Sequence, residues 1–186
     1  TGAEAEIDNV NILGTTLNNN SGCAAPVGGD YYTSYPDTGS ATCTLLQGVQ
    51  YTFGMTMNGA GIASVWIDYD HSGTFDASEW TQVTTNGTVV TVNIQVPLNA
   101  MLGTTGMRVR SRLTGNTNGA VNACTNFGSG ETEDYLVTIG PQPVCTNPPT
   151  AGTISGPGSV CATTSFTLTL TGQTLGTVVQ WQSATD

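Results

Sequence analysis

Thr88-Val89-Val90-Thr91-Val92-Asn93-Ile94-Gln95-Val96 decides the fold class. Val90, Val92, Ile94 and Val96 alternate with Thr91, Asn93 and Gln95. A period of two puts one set on each face of a strand, whereas a helix needs apolar residues three and four apart. Pro97 ends the run, because proline has no N–H to give to a ladder. The same pattern recurs outward in both directions. Asp8 to Ile12 and Tyr31 to Tyr35 are early strand candidates. Gln50 to Met57 puts Tyr51, Phe53 and Met55 on one face, and Ile62 to Tyr69 alternates through Val65, Ile67 and Tyr69. Gly106 to Leu113 and Glu133 to Ile139 complete the set. Turns rich in Gly, Asn and Thr separate these runs, and none has the period of an amphipathic helix. The spacing predicts an all-β fold, an antiparallel β-sandwich of immunoglobulin-like or jelly-roll-like form.

Composition agrees with strands and turns. Threonine outnumbers even the 24 glycines, there is no lysine, and only 9% of the 186 residues are charged, against about a quarter in an ordinary globular chain. The formal net charge of −10 repels phosphate backbones, which excludes nucleic-acid binding, and attracts divalent cations. No apolar run is long enough to predict a membrane-spanning helix. The five cysteines, Cys23, Cys43, Cys124, Cys145 and Cys161, form no C-x-x-C pair, which argues against a zinc ribbon or a thioredoxin-like site. Scattered cysteines in a β-rich chain suit an oxidising, extracellular setting. The odd number leaves one without a partner in the chain, and the favoured pairing is Cys23 with Cys43.

Gly140-Pro141-Gln142-Pro143 reads as an extended linker. It predicts a first domain over 1–140, a Pro-rich linker over 141–144 and a second unit over 145–186. In the second unit Phe166, Leu168 and Leu170 alternate with Thr167, Thr169 and Thr171, which predicts a half-buried strand. Val178 to Gln182 is another, carrying Trp181. Cys161 before one strand and Trp181 on the next suggest strands B and C of an immunoglobulin-like domain, which needs about 100 residues. The unit is therefore expected to be partial, with strands A, B and C. Its open edge invites completion by a strand of another chain, and head-to-tail repetition of that contact gives a fibre.

The sharpest motif is Asp68-Tyr69-Asp70-His71-Ser72-Gly73-Thr74-Phe75-Asp76-Ala77-Ser78-Glu79. Ca²⁺ is a hard cation that takes about six to eight oxygens, and a twelve-residue loop can supply them. Asp68, Asp70 and Ser72 stand at loop positions one, three and five and offer side-chain oxygens. Gly73 stands at six, where the chain turns sharply. Thr74 at seven would give its carbonyl, Asp76 at nine would act directly or through water, and Glu79 at twelve would bind with both oxygens. The entering segment Ser64-Val65-Trp66-Ile67 reads as a strand, so the loop sits in a β context and not between two helices. His71 falls at an outward position. An Asx-rich turn with solvated carboxylates is the competing reading.

The three basic residues, Arg108, Arg110 and Arg112, share one face of one strand. Glu131, Glu133 and Asp134 lie in Gly130-Glu131-Thr132-Glu133-Asp134-Tyr135, and cross-strand ion pairing between the two segments is expected. A sugar- or carboxylate-binding arginine face is the rival.

Val65-Trp66-Ile67-Asp68-Tyr69-Asp70, Gly73-Thr74-Phe75-Asp76, Met107-Arg108-Val109-Arg110 and Gly130-Glu131-Thr132-Glu133-Asp134-Tyr135 together resemble the GEVED domain family, with Thr132 where the family's motif has Val. Ile7-Asp8-Asn9-Val10 and Asn20-Ser21-Gly22-Cys23 are also similar to it, so the resemblance spans roughly residues 5–140. Pro149-Thr150-Ala151-Gly152-Thr153-Ile154, Val160-Cys161 and Gln180-Trp181-Gln182 resemble immunoglobulin-like repeats. The resemblance implies a β-sandwich in a surface or secreted protein of surface-attached bacteria, and brings no catalytic residue with it.

No catalytic constellation is legible. His71 lies inside the candidate loop with no nucleophile motif beside it, and there is no His-Glu-x-x-His, phosphate loop or dinucleotide fingerprint. The expected function is a non-enzymatic extracellular structural or adhesion module on the bacterial cell surface. It would be calcium-stabilised and would associate with itself into fibres or with neighbouring domains of the same protein. The alternative is a carbohydrate- or surface-binding accessory domain of a secreted enzyme, with Tyr31, Tyr32, Tyr35, Trp66 and Trp80 stacking on glycans. Asn19-Asn20-Ser21, Asn86-Gly87-Thr88 and Asp37-Thr38 are candidate glycosylation positions.

Overall fold

A computed structural model describes residues 5–22, 31–126, 128–143, 152–161 and 163–172. The chain divides into two compact units, 1–142 and 143–186. Among the described residues all regular structure is strand, apart from three single turns of 3-10 helix, Gly39–Ala41, Ala77–Glu79 and Ala120–Asn122. Among the described residues no helix is long and apolar enough to cross a membrane.

The first unit holds β1 (Ile7–Ile12), β2 (Asn18–Asn19), β3 (Tyr32–Ser34), β4 (Thr44–Leu46), β5 (Gln50–Ile67), β6 (Trp80–Gln95), β7 (Gly103–Leu113) and β8 (Thr132–Gly140). They form one network in the order β2-β1-β5-β7-β8-β3, with β4 also on β8 and β6 on β5. The two runs predicted at 50–57 and 62–69 are a single 18-residue strand. Its first half pairs with β1, from Ile7↔Met57 to Ile12↔Phe53, and its second half pairs with β7, from Gly61↔Leu113 to Ile67↔Met107. The register with β6 breaks between Thr56 and Gly61. A strand that changes neighbours halfway along carries two layers, and their inner faces share one core. Phe53, Met55, Val65, Val109, Val137 and Tyr135 meet there, each no more than 1% exposed.

The all-β fold expected from the strand pattern is present, with mixed pairing at β8. Tyr32–Ser34 and Thr44–Leu46 both run parallel to it. Antiparallel pairing is imposed where a short turn joins two strands. β3 and β4 lie far from β8 in the chain, so no hairpin constrains their direction.

Glu131 just before β8 and Glu133, Tyr135, Val137 and Ile139 along it are buried, while Leu136 is exposed and Asp134 and Thr138 are partly so. At its start Gly130 adopts φ 73°, and a Cβ there would stand 2.2 Å from the Ser111 carbonyl oxygen. Real side chains do not approach a backbone so closely, so the motif's glycine is a steric requirement of the β7–β8 junction.

In the second unit β9 (Thr153–Ser155) pairs antiparallel with β10 (Thr169–Thr171). The half-buried strand predicted from Phe166 onward is shortened to Thr169–Thr171, and Phe166 and Leu168 are 53% and 41% exposed. Alternation marks a strand only where another layer takes up its apolar face. Cys145 and the strand predicted over 178–182 with Trp181 lie outside the described residues.

Candidate functional site

The 68–79 loop joins β5 to β6 and is pinned at its base. The Asp68 amide donates to the Gly106 carbonyl at 3.0 Å, and the Thr105 hydroxyl donates to the Asp68 carbonyl at 2.6 Å. The Met101 amide donates to the Tyr69 carbonyl at 2.7 Å. Inside the loop, Asp68 Oδ1 and Oδ2 accept from the Ser72 and Gly73 amides, each at 3.0 Å, and Asp70 Oδ1 accepts from the Ser72 amide at 3.0 Å. Gly73 turns the chain at φ 76°. Glu79 closes the ring. Its Oε1 accepts from the Tyr69 amide at 2.6 Å and its Oε2 from the Asp76 amide at 2.9 Å.

These bonds bring the Asp68, Asp70 and Glu79 carboxylates together, with an oxygen of each within 4.8 Å of the others. The Ser72 hydroxyl lies 3.3 Å from the Thr74 carbonyl, so two further oxygens sit in the same bend. Of the six residues expected as ligands, Asp76 is the one carboxylate outside this cluster, and its amide donates to Glu79. Burial raises the Glu79 carboxyl above its ordinary value, opposed by the three amides and reinforced by Asp68. Hydrogen bonding from Ser72 lowers Asp70. Each carboxylate oxygen has two lone pairs, so those that accept an amide keep another for a cation. An all-oxygen set with three negative charges fits a hard divalent ion.

The arginines behave differently from the sequence expectation. Arg108 lies opposite Asp134, and its Nε and Nη2 make a bidentate pair with that carboxylate at 2.6 Å each. The same guanidinium lies 5.2 Å from the centre of the Phe75 ring, a cation–π contact that ties the 68–79 loop to β7. Glu131 and Glu133 do not join this array. Val109 lies opposite Glu133, which puts the glutamate on the core face, away from the arginines.

Arg110 and Arg112 donate to main-chain carbonyls of the segment after β7: Arg110 to Asn122 and Thr125, Arg112 to Thr117. Arg108 adds Ala123, Trp66 Nε1 adds Ala120 at 3.0 Å, and Ser64 adds Asn118 at 2.5 Å. The arginine face is therefore roofed by its own chain. Arg110 is 3% exposed. Burial, then the charges of Arg108 and Arg112, lower it to about 10. It offers no open carboxylate- or sugar-binding face.

The glutamates of the motif work inside the core. Glu133 accepts from the Tyr135 hydroxyl at 2.6 Å and the Tyr35 hydroxyl at 3.1 Å, with the two rings stacked 5.1 Å apart. Glu131 Oε2 accepts from the Ile7 amide at 2.9 Å and so joins β8 to β1. Burial, then the neighbouring Glu133, raises Glu131 to about 7 from 4.5, with Glu6 adding to the rise and the Ile7 amide opposing it. The folded state therefore holds a proton that the unfolded chain releases at lower pH. Stability present below about pH 4.5 is lost as pH rises through about 7, by about 2–3 kcal/mol. Glu131→Gln keeps an acceptor for Ile7 and should flatten this slope, raising stability at pH 8, as read by urea denaturation across the pH range. An unchanged slope would show that Glu131 ionises freely.

The aromatic side chains considered for glycan stacking differ in their surroundings. Trp66 is fully buried, Tyr35 is stacked on Tyr135, and the Tyr32 hydroxyl donates to Asp134 at 2.9 Å. Cys43 is buried, and burial raises its thiol to about 11. Its expected partner, Cys23, lies outside the described residues. Sequence reasoning missed the roofing segment 117–125, whose bonds run through main-chain carbonyls and leave no side-chain signature. Residues 63–138, which include the loop, the arginine strand and most of β8, match the family model of the GEVED domain. No curated protein and no solved structure matches the chain.

Proposed function

Residues 63–138 are a GEVED domain, and from that premise we propose that the chain is a calcium-stabilised, non-catalytic structural or adhesion module working outside the cell. The observation that carries this reading is the convergence of Asp68, Asp70 and Glu79, with the Ser72 hydroxyl and Thr74 carbonyl beside them, in a loop between two long strands. Calcium would take these oxygens and cancel the repulsion of three carboxylates. The loop joins β5 to β6, and through Phe75 and Arg108 it reaches Asp134 of the family motif. A bound ion would thus stiffen the rim of the sheet.

A structural role is supported by where the other acids sit. Glu131 and Glu133 are 4% and 0% exposed and engaged with backbone and tyrosines, out of reach of a dissolved substrate. An extracellular setting is supported by the low charge content and the absence of lysine, and extracellular calcium modules bind at about 0.1–1 mM.

Terbium luminescence tests the ion. Tyr69 stands at the second loop position, so excitation of aromatic residues should sensitise bound Tb³⁺. Calcium should quench the signal by displacement and magnesium should do so weakly, since Mg²⁺ gives up its waters reluctantly. Absence of sensitised emission in wild type, or emission unaltered in Asp68→Asn, would remove the proposal.

A further inference from the structure

The sheet of the first unit guards its edges unequally. Among the described residues, the edge strands β2, β3 and β4 are two or three residues long. Very short edge strands are a common means of preventing pairing with another chain. β6 is 16 residues long and, among the described residues, pairs with β5 only. Its first half is protected by irregularity, because the register with β5 shifts three times between Thr56 and Ser64. Its second half has no such device. From Val89↔Thr56 to Gln95↔Gln50 the pairing is continuous, so the far edge of this stretch presents a regular row of backbone groups. Residues 80–95 contain no Asp, Glu, Lys, Arg or Pro, and Val89 is 75% exposed.

We propose that residues 88–95 are a self-pairing edge: two copies of this chain align these strands antiparallel and join their sheets. Three observations favour a second copy as occupant. First, the chain carries a net charge of −10, so contacts between copies elsewhere tend to bring like charges together, while this strand brings none. Second, Val90 and Val92 are only partly buried against the core. A two-fold axis normal to the sheet keeps the core-facing side of both copies the same, so these valines meet their counterparts and the core continues across the junction. Third, Thr91, Asn93 and Gln95 on the other face are exposed, and such side chains pair well across antiparallel strands. The junction adds backbone hydrogen bonds without requiring any element to move.

The test is sedimentation equilibrium and amide hydrogen exchange on the full chain, up to millimolar protein. Wild type should form a reversible dimer, and alternate amides within 88–95 should gain protection as concentration rises. The double variant Val89→Glu, Thr91→Glu places carboxylates at exposed positions close to the two-fold, where those of the two copies come near one another. It should remain monomeric while melting at the temperature of the dilute wild-type protein. A wild-type monomer at all concentrations would overturn the proposal. So would a dimer that survives in the double variant, or one whose new protection lies outside 88–95. Should the double variant melt lower, the exchange pattern of wild type alone decides.

Discussion

Stripping divalent ions from the protein with a chelator is expected to lower its melting temperature by about 5–10 °C relative to 10 mM calcium. The size follows from linkage. A ligand that binds only the folded state stabilises it by about 1.4 kcal/mol at a tenfold excess over its dissociation constant and by about 2.7 kcal/mol at a hundredfold, the span that 10 mM calcium covers for a dissociation constant of about 0.1–1 mM. For a domain of this size each kcal/mol moves the midpoint by about 3–4 °C. The repulsion that the ion relieves is between Asp68, Asp70 and Glu79, gathered within 4.8 Å. Asp68→Asn removes one charge from the cluster and should abolish most of the calcium response. Glu79→Gln should do the same while retaining one acceptor for the Tyr69 and Asp70 amides that Glu79 now holds. Asp76→Asn should leave the response largely intact, because that carboxylate stands outside the cluster, although its loop position marks it as a ligand. Identical melting curves in calcium and in chelator would refute the metal site.

Trp66→Ala is expected to cost about 3–5 kcal/mol, the range for deleting a large buried aromatic side chain. Trp66 is fully buried although it sits on the face of β5 opposite the core residues Val65 and Ile67. It lies under the 117–125 segment and donates Nε1–H to the Ala120 carbonyl. Its loss would open a cavity and leave that carbonyl without its donor. Trp66→Phe retains most of the packing and should cost about 1–2 kcal/mol for the missing hydrogen bond. Urea denaturation reads both. A Trp66→Ala protein within about 1 kcal/mol of wild type would place the indole at the surface, as an aromatic available for ligand stacking.

The glutamates and arginines of the motif strands show how local pattern and fold part company. Alternation establishes that Arg108, Arg110 and Arg112 share a face, and that Glu131 and Glu133 share a face. It does not establish whether those two faces coincide. The β7–β8 register decides it: Arg108 meets Asp134, Val109 meets Glu133, and one predicted ion pair forms while the glutamates turn inward. A residue's charge suggests solvent, but Glu133 is satisfied by two phenols and Glu131 by a backbone amide, so both remain in the core.

Local chemistry was enough for the strand runs around Val90–Ile94 and Met107–Val109 and for the twelve-residue loop with its glycine bend. Each depends on side-chain period or on spacing within a dozen residues, and both are properties of the linear chain. Tertiary structure decided that β5 is one strand serving two layers, that β3 and β4 run parallel to β8, that Asp76 stands apart from the other carboxylates, and that the arginine face is roofed by 117–125. These outcomes rest on main-chain hydrogen bonds and on contacts between distant segments. Peptide groups are the same at every residue, so no residue type announces which of them will meet.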